Sequence, residues 1–126
     1  MAAEHLQAGA AAETAALQLL QAAGLQLLAR NVRYRCGELD LVMQQPGASQ
    51  ATTVFVEVRQ RQHASHGGAL GSIDQRKQRK LIAAAQLYLA DHPALATAPC
   101  RFDVVLFAAP PATPQWLRDA FNADER

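Results

Sequence analysis

Gly37-Glu38-Leu39-Asp40-Leu41-Val42-Met43 and Thr53-Val54-Phe55-Val56-Glu57-Val58-Arg59 are two apolar runs joined by the polar Gln-Gln-Pro-Gly-Ala-Ser-Gln segment of residues 44–50. Aliphatic and β-branched residues dominate both, and a Pro-Gly turn signal separates them, so they read as two consecutive strands. Side chains alternate across a strand, which puts Glu38 and Asp40 on one face and Phe55, Glu57 and Arg59 on one face. Carboxylates in strands this apolar need an explanation, because charge is rarely buried without a partner. A hairpin would bring Asp40 and Glu57 together, and close carboxylates repel unless a cation stands between them. The expectation is a divalent-metal site held by Asp40 and Glu57.

The remaining chain supplies the scaffold. Residues from about Ala3 to Ala23 are rich in Ala and Leu, contain no proline and are followed by Gly24, a helix stop. Leu6, Ala10, Glu13, Leu17 and Leu20 fall on one stripe of that helix. Glu13 on this stripe admits two readings, a ligand or base positioner, or a boundary residue reaching solvent. The residues alone favour the second. Leu25 to Arg35 reads as a first strand, with Val32 and Tyr34 on one face and Asn31, Arg33 and Arg35 on the other. After the acid-bearing strands, Gln60 to Gly71 reads as a glycine-rich loop beside the site, where contact with a ligand is common. His63 and His66 within it lack a partner motif and read as solvated. Ser72-Ile73-Asp74-Gln75 has the form of a capping box. It opens a second helix to about Ala90 with the stripe Ile73, Lys77, Leu81, Ala84, Ala85 and Tyr88. Lys77 is thereby placed on the inner edge near a helix start, to meet an anion or to snorkel to water.

Arg101 to Phe107 reads as a fourth strand, and Gln115 to Phe121 as one or two helical turns covering the core. The order αβββαβ, with a short C-terminal helical segment, makes an α/β fold with one mixed sheet flanked by helices. Three strands form a meander, and the second helix is a crossover to the fourth. With 126 residues the chain suits one domain, residues 1–126. No uninterrupted apolar run is long enough to span a membrane. The start lacks the basic and apolar regions of a secretion signal, so the expected location is cytoplasmic. Cys36 and Cys100 lack metal-ligand spacing and read as free thiols. Net charge is only +1, but nine of the twelve Lys and Arg lie between Arg30 and Lys80, against four acids. A polyanion would suit that asymmetry.

Gly37-Glu38-Leu39-Asp40-Leu41-Val42, Val54-Phe55-Val56-Glu57-Val58-Arg59, Arg76-Lys77-Gln78 and Arg101-Phe102-Asp103-Val104-Val105 together resemble the YraN family. These are small bacterial proteins with the restriction-endonuclease-like, PD-(D/E)XK fold, similar to archaeal Holliday-junction resolvases. The resemblance runs from about Gly9 to Phe121. It implies a Mg²⁺- or Mn²⁺-dependent endonuclease site acting on DNA, branched or single-stranded. Asp40 matches the motif aspartate, Glu57 the acid of the E-x-K element and Glu13 the glutamate of the first helix; Glu38 also belongs to the pattern. The E-x-K lysine is Arg59 here. Arginine stays protonated and cannot act as a base, though its fork suits a phosphate. Lys77 is the candidate to supply an amine from the second helix. The expected site is therefore Glu13, Asp40, Glu57, Arg59 and Lys77. The alternative is a catalytically weak or inactive nucleic-acid-binding module that keeps the fold. By analogy with resolvases acting on two-fold substrates, a homodimer is expected.

Overall fold

The computed structural model describes residues 2–60, 73–108 and 113–122, with side chains from Gly9 onward. The elements run α1 (Ala2–Ala22), β1 (Gln26–Tyr34), β2 (Gly37–Gln45), β3 (Thr52–Gln60), α2 (Gln75–Asp91), β4 (Cys100–Phe107) and β5 (Gln115–Phe121), with a 3-10 turn at Pro93–Leu95. The five strands form one mixed sheet in chain order. Only β3 and β4 run parallel, and α2 is the crossover between them. The fold is α/β, and its order fits the nuclease-like arrangement expected from the sequence. The glycine-rich loop, with His63 and His66, falls almost wholly outside the described residues. Among the described residues no helix is long and apolar enough to cross a membrane, and Cys36 and Cys100 are free thiols.

Each face of the sheet carries a helix and its own core. Leu20, Ala16, Leu25, Leu41, Met43, Val54, Val56 and Val105 pack on the α1 side. Leu39, Val42, Phe55, Leu81, Ala84, Ala85, Tyr88, Phe102 and Val104 pack on the α2 side. Gly24, at φ +97°, ends α1 by letting the Leu25 N–H return to the Leu20 carbonyl at 3.0 Å, a left-handed stop open to glycine. That turn feeds the chain straight into β1.

Three expectations are corrected. The C-terminal segment is a strand, not helical turns: β5 pairs antiparallel with β4. Its Trp, Leu, Ala and Phe suit either state, and the unpaired edge of β4 decides, since backbone groups left there would lack partners. The buried stripe of α1 is Ala12, Glu13, Ala16 and Leu20, whereas Ala10 is exposed and Leu17 only half-buried. Small alanines let the helix lie close to β3, which turns it from the leucine-weighted stripe. Helix α2 starts two residues later than the capping-box reading. Its cap is Asp74, whose Oδ1 accepts from the Lys77 N–H at 2.8 Å.

Gly37 fixes how β2 enters the sheet. A Cβ there would lie 2.6 Å from the Lys80 carbonyl oxygen on α2, so only glycine lets the strand start pass the helix so closely.

Candidate active site

Asp40 stands where two strands part. Pairing between β2 and β3 runs from Gln45↔Thr52 to Leu41↔Val56 and goes no further toward Asp40. In place of a ladder bond, the Asp40 carboxylate enters the seam, and its Oδ2 accepts the Val58 N–H at 2.8 Å. The pleat also breaks here. Leu39 packs on the α2 side and Leu41 on the α1 side, although residues two apart on a regular strand share a face.

Glu57 meets Asp40 from the α2 side. It follows Phe55 on that face and is 4 % exposed. Burial, first, and then the adjacent Asp40 carboxylate, which also shares a hydrogen bond with it, push the Glu57 carboxyl up to about 8. Two cations oppose this: Lys77 Nζ lies 3.5 Å and Arg59 Nη1 3.4 Å from Glu57 Oε2. At neutral pH the desolvation of Glu57 and the charge of Asp40 outweigh both cations, so the folded protein keeps the proton on Glu57. Arg59 and Lys77, residues that the sequence brings from β3 and α2, thus converge on one oxygen.

On the α1 side, Asp40 borders a cleft of about 560 Å³ whose walls include Glu13, Arg30, Asn31, Arg33 and Glu38. Glu13 is not a boundary residue reaching solvent. It is buried at 9 % exposure, and its Oε1 accepts from Arg30 Nε at 3.0 Å and Asn31 Nδ2 at 2.9 Å. Glu38 sits higher on the wall, half-exposed and 3.8 Å from Arg33. Glu57 is not on the cleft wall, so Asp40 is the link between the two sides. Among the described residues no three His, Cys, Asp or Glu side chains are gathered closely enough to hold an ion together. The arrangement is a carboxylate pair in the seam with a third carboxylate held across the cleft.

Two polar groups escaped the sequence reading, one buried and one exposed. Asp103, wholly buried on β4, accepts from Arg101 (3.0 and 3.2 Å), Trp116 Nε1 (2.9 Å) and the Asp119 N–H (2.9 Å). Its donors come from β4 and β5, and it ties the bulge at Asp119 (φ +52°) to the sheet. The alternation Arg101–Asp103 was its only signal. Asn31, at φ +56° inside β1, gave none beyond its type, since Asn tolerates that conformation better than most residues.

Comparison with known proteins matches residues 12–107 to the model of Uncharacterised protein family UPF0102. The chain belongs to this family. That is the YraN family whose motifs the two acid-bearing strands resemble. A UPF0102 protein of Xanthomonas campestris pv. campestris (strain B100) is 54% identical over 125 residues, 99% of each chain. One from Xylella fastidiosa (strain M12) is 56% identical over 117 residues, 93% of each chain. The matched region spans α1 from Ala12 to the end of β4, and so holds Glu13, Asp40, Glu57, Arg59 and Lys77.

Proposed function

We propose that this UPF0102 protein is a metal-dependent endonuclease-like enzyme that hydrolyses phosphodiester bonds of DNA, branched or single-stranded, in the cytoplasm. The observation that carries the reading is the Asp40–Glu57 pair: two neighbouring carboxyl groups at the parting of the strands, one of them buried, so that burial first and the other carboxylate second oppose its ionisation. A hard divalent cation is the partner such oxygens lack, and Mg²⁺ is commonly held by one or two carboxylates while keeping several waters. The donor set therefore fits Mg²⁺ or Mn²⁺, with Asp40 and Glu57 as the residues that would hold it. When bound, the ion would activate water and stabilise the leaving oxygen.

The chain's own groups complete the chemistry. Glu57 must give up its proton before it can ligate, so binding is coupled to proton release. Arg59 and Lys77 already face Glu57, so a phosphate bound beside it would come within reach of both cations. The Arg59 fork stabilises charge on the phosphoryl oxygens and removes no proton. Lys77 brings a second cation from α2. Glu13, on the opposite wall, is placed to orient the attacking water. A homodimer would present two such seams to a two-fold junction, which sedimentation would detect.

The test is cleavage of a panel of single-stranded, flapped and four-way DNA with Mn²⁺ or Mg²⁺. Cleavage by the native protein that disappears in Asp40→Ala and in Glu57→Ala is expected. Undiminished cleavage by either variant would reject the assignment. One observation favours a second reading: arginine stands where the E-x-K lysine is expected. A DNA-binding module without turnover would show salt-sensitive binding and no cleavage with either ion, and Arg59→Lys would then restore activity only if the remaining site is intact.

A further inference from the structure

In a regular strand, neighbouring residues point to opposite faces. Arg30 and Asn31 do not. Both line the cleft, and both donate to the same atom, Oε1 of Glu13. Around them, Ala29 and Val32 pack toward α2, and Arg33 returns to the cleft wall. The exception is made by Asn31, whose backbone turns left-handed at φ +56°. A non-glycine residue in that region is uncommon, and such conformations cost free energy that the surroundings must offset. What the turn achieves here is specific. It swings the Asn31 amide to the side already occupied by the Arg30 guanidinium, so that two consecutive side chains grip one oxygen.

The rung of β1 and β2 at which this happens also matters. Arg30 pairs with Leu41 and Val32 with Leu39, so Asn31 lies level with Asp40. The break in pleat on β2 that sends Asp40 to the seam and the break on β1 that sends Asn31 to the cleft are thus one distortion shared by two strands. Arg30 is steadied in turn by α1. Its Nη2 is 3.0 Å from Glu13 Oε1 and 3.4 Å from Thr14 Oγ1. None of these donors falls on Glu13 Oε2.

We propose that Asn31, with Arg30, is a positioning clasp: it pins Oε1 of Glu13 so that Oε2 is presented to the cleft that Asp40 borders, as a fixed acceptor for water carried by a hard cation. The proposal rests on the metal-site reading above and adds residues to it. A carboxylate on a helix has rotamer freedom, and outer partners that remove it tune a metal site as strongly as the ligands' own identity. Arg30 as a mere competitor for the site would act with the opposite sign, since its removal would free Glu13 and tighten binding.

Asn31→Gly separates the amide from the backbone, because glycine adopts a positive φ without strain. Mn²⁺ is titrated by calorimetry into the native protein, Asn31→Gly, Arg30→Met, Glu13→Gln and Asp40→Asn, with urea unfolding in EDTA run in parallel. Asn31→Gly is expected to weaken Mn²⁺ binding about tenfold while its unfolding midpoint in EDTA stays near the native one, a combination that a purely structural asparagine would not give. Arg30→Met and Glu13→Gln should weaken it similarly, and Asp40→Asn should abolish it. If Arg30→Met fails to fold, Arg30→Lys, which keeps the charge without the fork, should still weaken binding. Native affinity in Asn31→Gly, or tighter binding in an Arg30 variant, overturns the clasp while loss of binding in Asp40→Asn keeps the metal site. Absence of Mn²⁺ binding to the native protein overturns both.

Discussion

Replacing Glu57 by Gln removes a carboxyl whose ionisation the fold resists, and the effect should appear as a reversal of the usual pH trend. In the unfolded chain this carboxyl ionises near 4.5, and in the folded protein near 8. Between those values the folded state keeps a proton that the unfolded chain has released. Stability from this group is therefore complete below about 4.5 and is drawn down as pH rises through about 8. At roughly 1.4 kcal/mol per pH unit the full loss is on the order of 5 kcal/mol, a large share of a small domain's stability. Gln keeps an N–H donor toward Asp40 and cannot ionise. Urea unfolding in EDTA across pH 5 to 9 should show the native protein losing stability relative to Glu57→Gln, with the gap opening steadily and levelling beyond about pH 8. A gap that is constant with pH, or one that closes as pH rises, would refute the reasoning, because it would mean that Glu57 is ionised in the folded protein at neutral pH.

Mn²⁺ affinity of the native protein should rise about tenfold per pH unit below about 8 and flatten above it, since ligation needs the Glu57 proton removed; calorimetry in buffers of different ionisation enthalpy would count that proton. Asp103→Ala should destabilise the fold by about 3–5 kcal/mol, because it removes the buried carboxylate that the half-buried Arg101 charge and the Trp116 and Asp119 donors share; chemical denaturation checks it. Thr53 Oγ1 is buried with no hydrogen-bond partner among the described residues. Thr53→Val should accordingly raise stability by about 1 kcal/mol, seen as a higher urea midpoint. Gly37→Ala should force β2 away from α2 at Lys80 and loosen the seam, lowering both the unfolding midpoint and the affinity for Mn²⁺.

The strands were legible where composition and period agreed. Leu39 to Met43 and Val54 to Val58 are too apolar and β-branched to be anything but strands, and proline and glycine mark the turn between them. The convergence of Arg59 and Lys77 on Glu57 could be expected as well, one from the strand's period of two and the other from the helical stripe. Gln115 to Phe121 was misread because its own residues do not choose between helix and strand. The choice is made by an edge of β4 that only the assembled sheet presents. Glu13 was misjudged for a related reason. A single helix offers no sign of the Arg30 and Asn31 donors that await on β1, seventeen and eighteen residues on, and without them a solvated boundary place is the cheaper assumption.

Asn31 and Asp40 show why strand period alone cannot define such a site. Strict alternation would have kept Asp40 in line with Glu57 on the α2 face and Asn31 away from Glu13. Instead both strands slip out of the pleat at one rung, and the slip has three consequences at once. It ends the β2–β3 ladder, it hands the orphaned Val58 N–H to the Asp40 carboxylate, and it opens the seam from the α1 cleft to Glu57. A carboxylate that takes over a ladder bond is held rigidly yet keeps its second oxygen for another partner. That gives the parting of the strands a chemical reason: a continuous sheet would have satisfied every backbone group and left no opening between its strands for a charged ligand to enter.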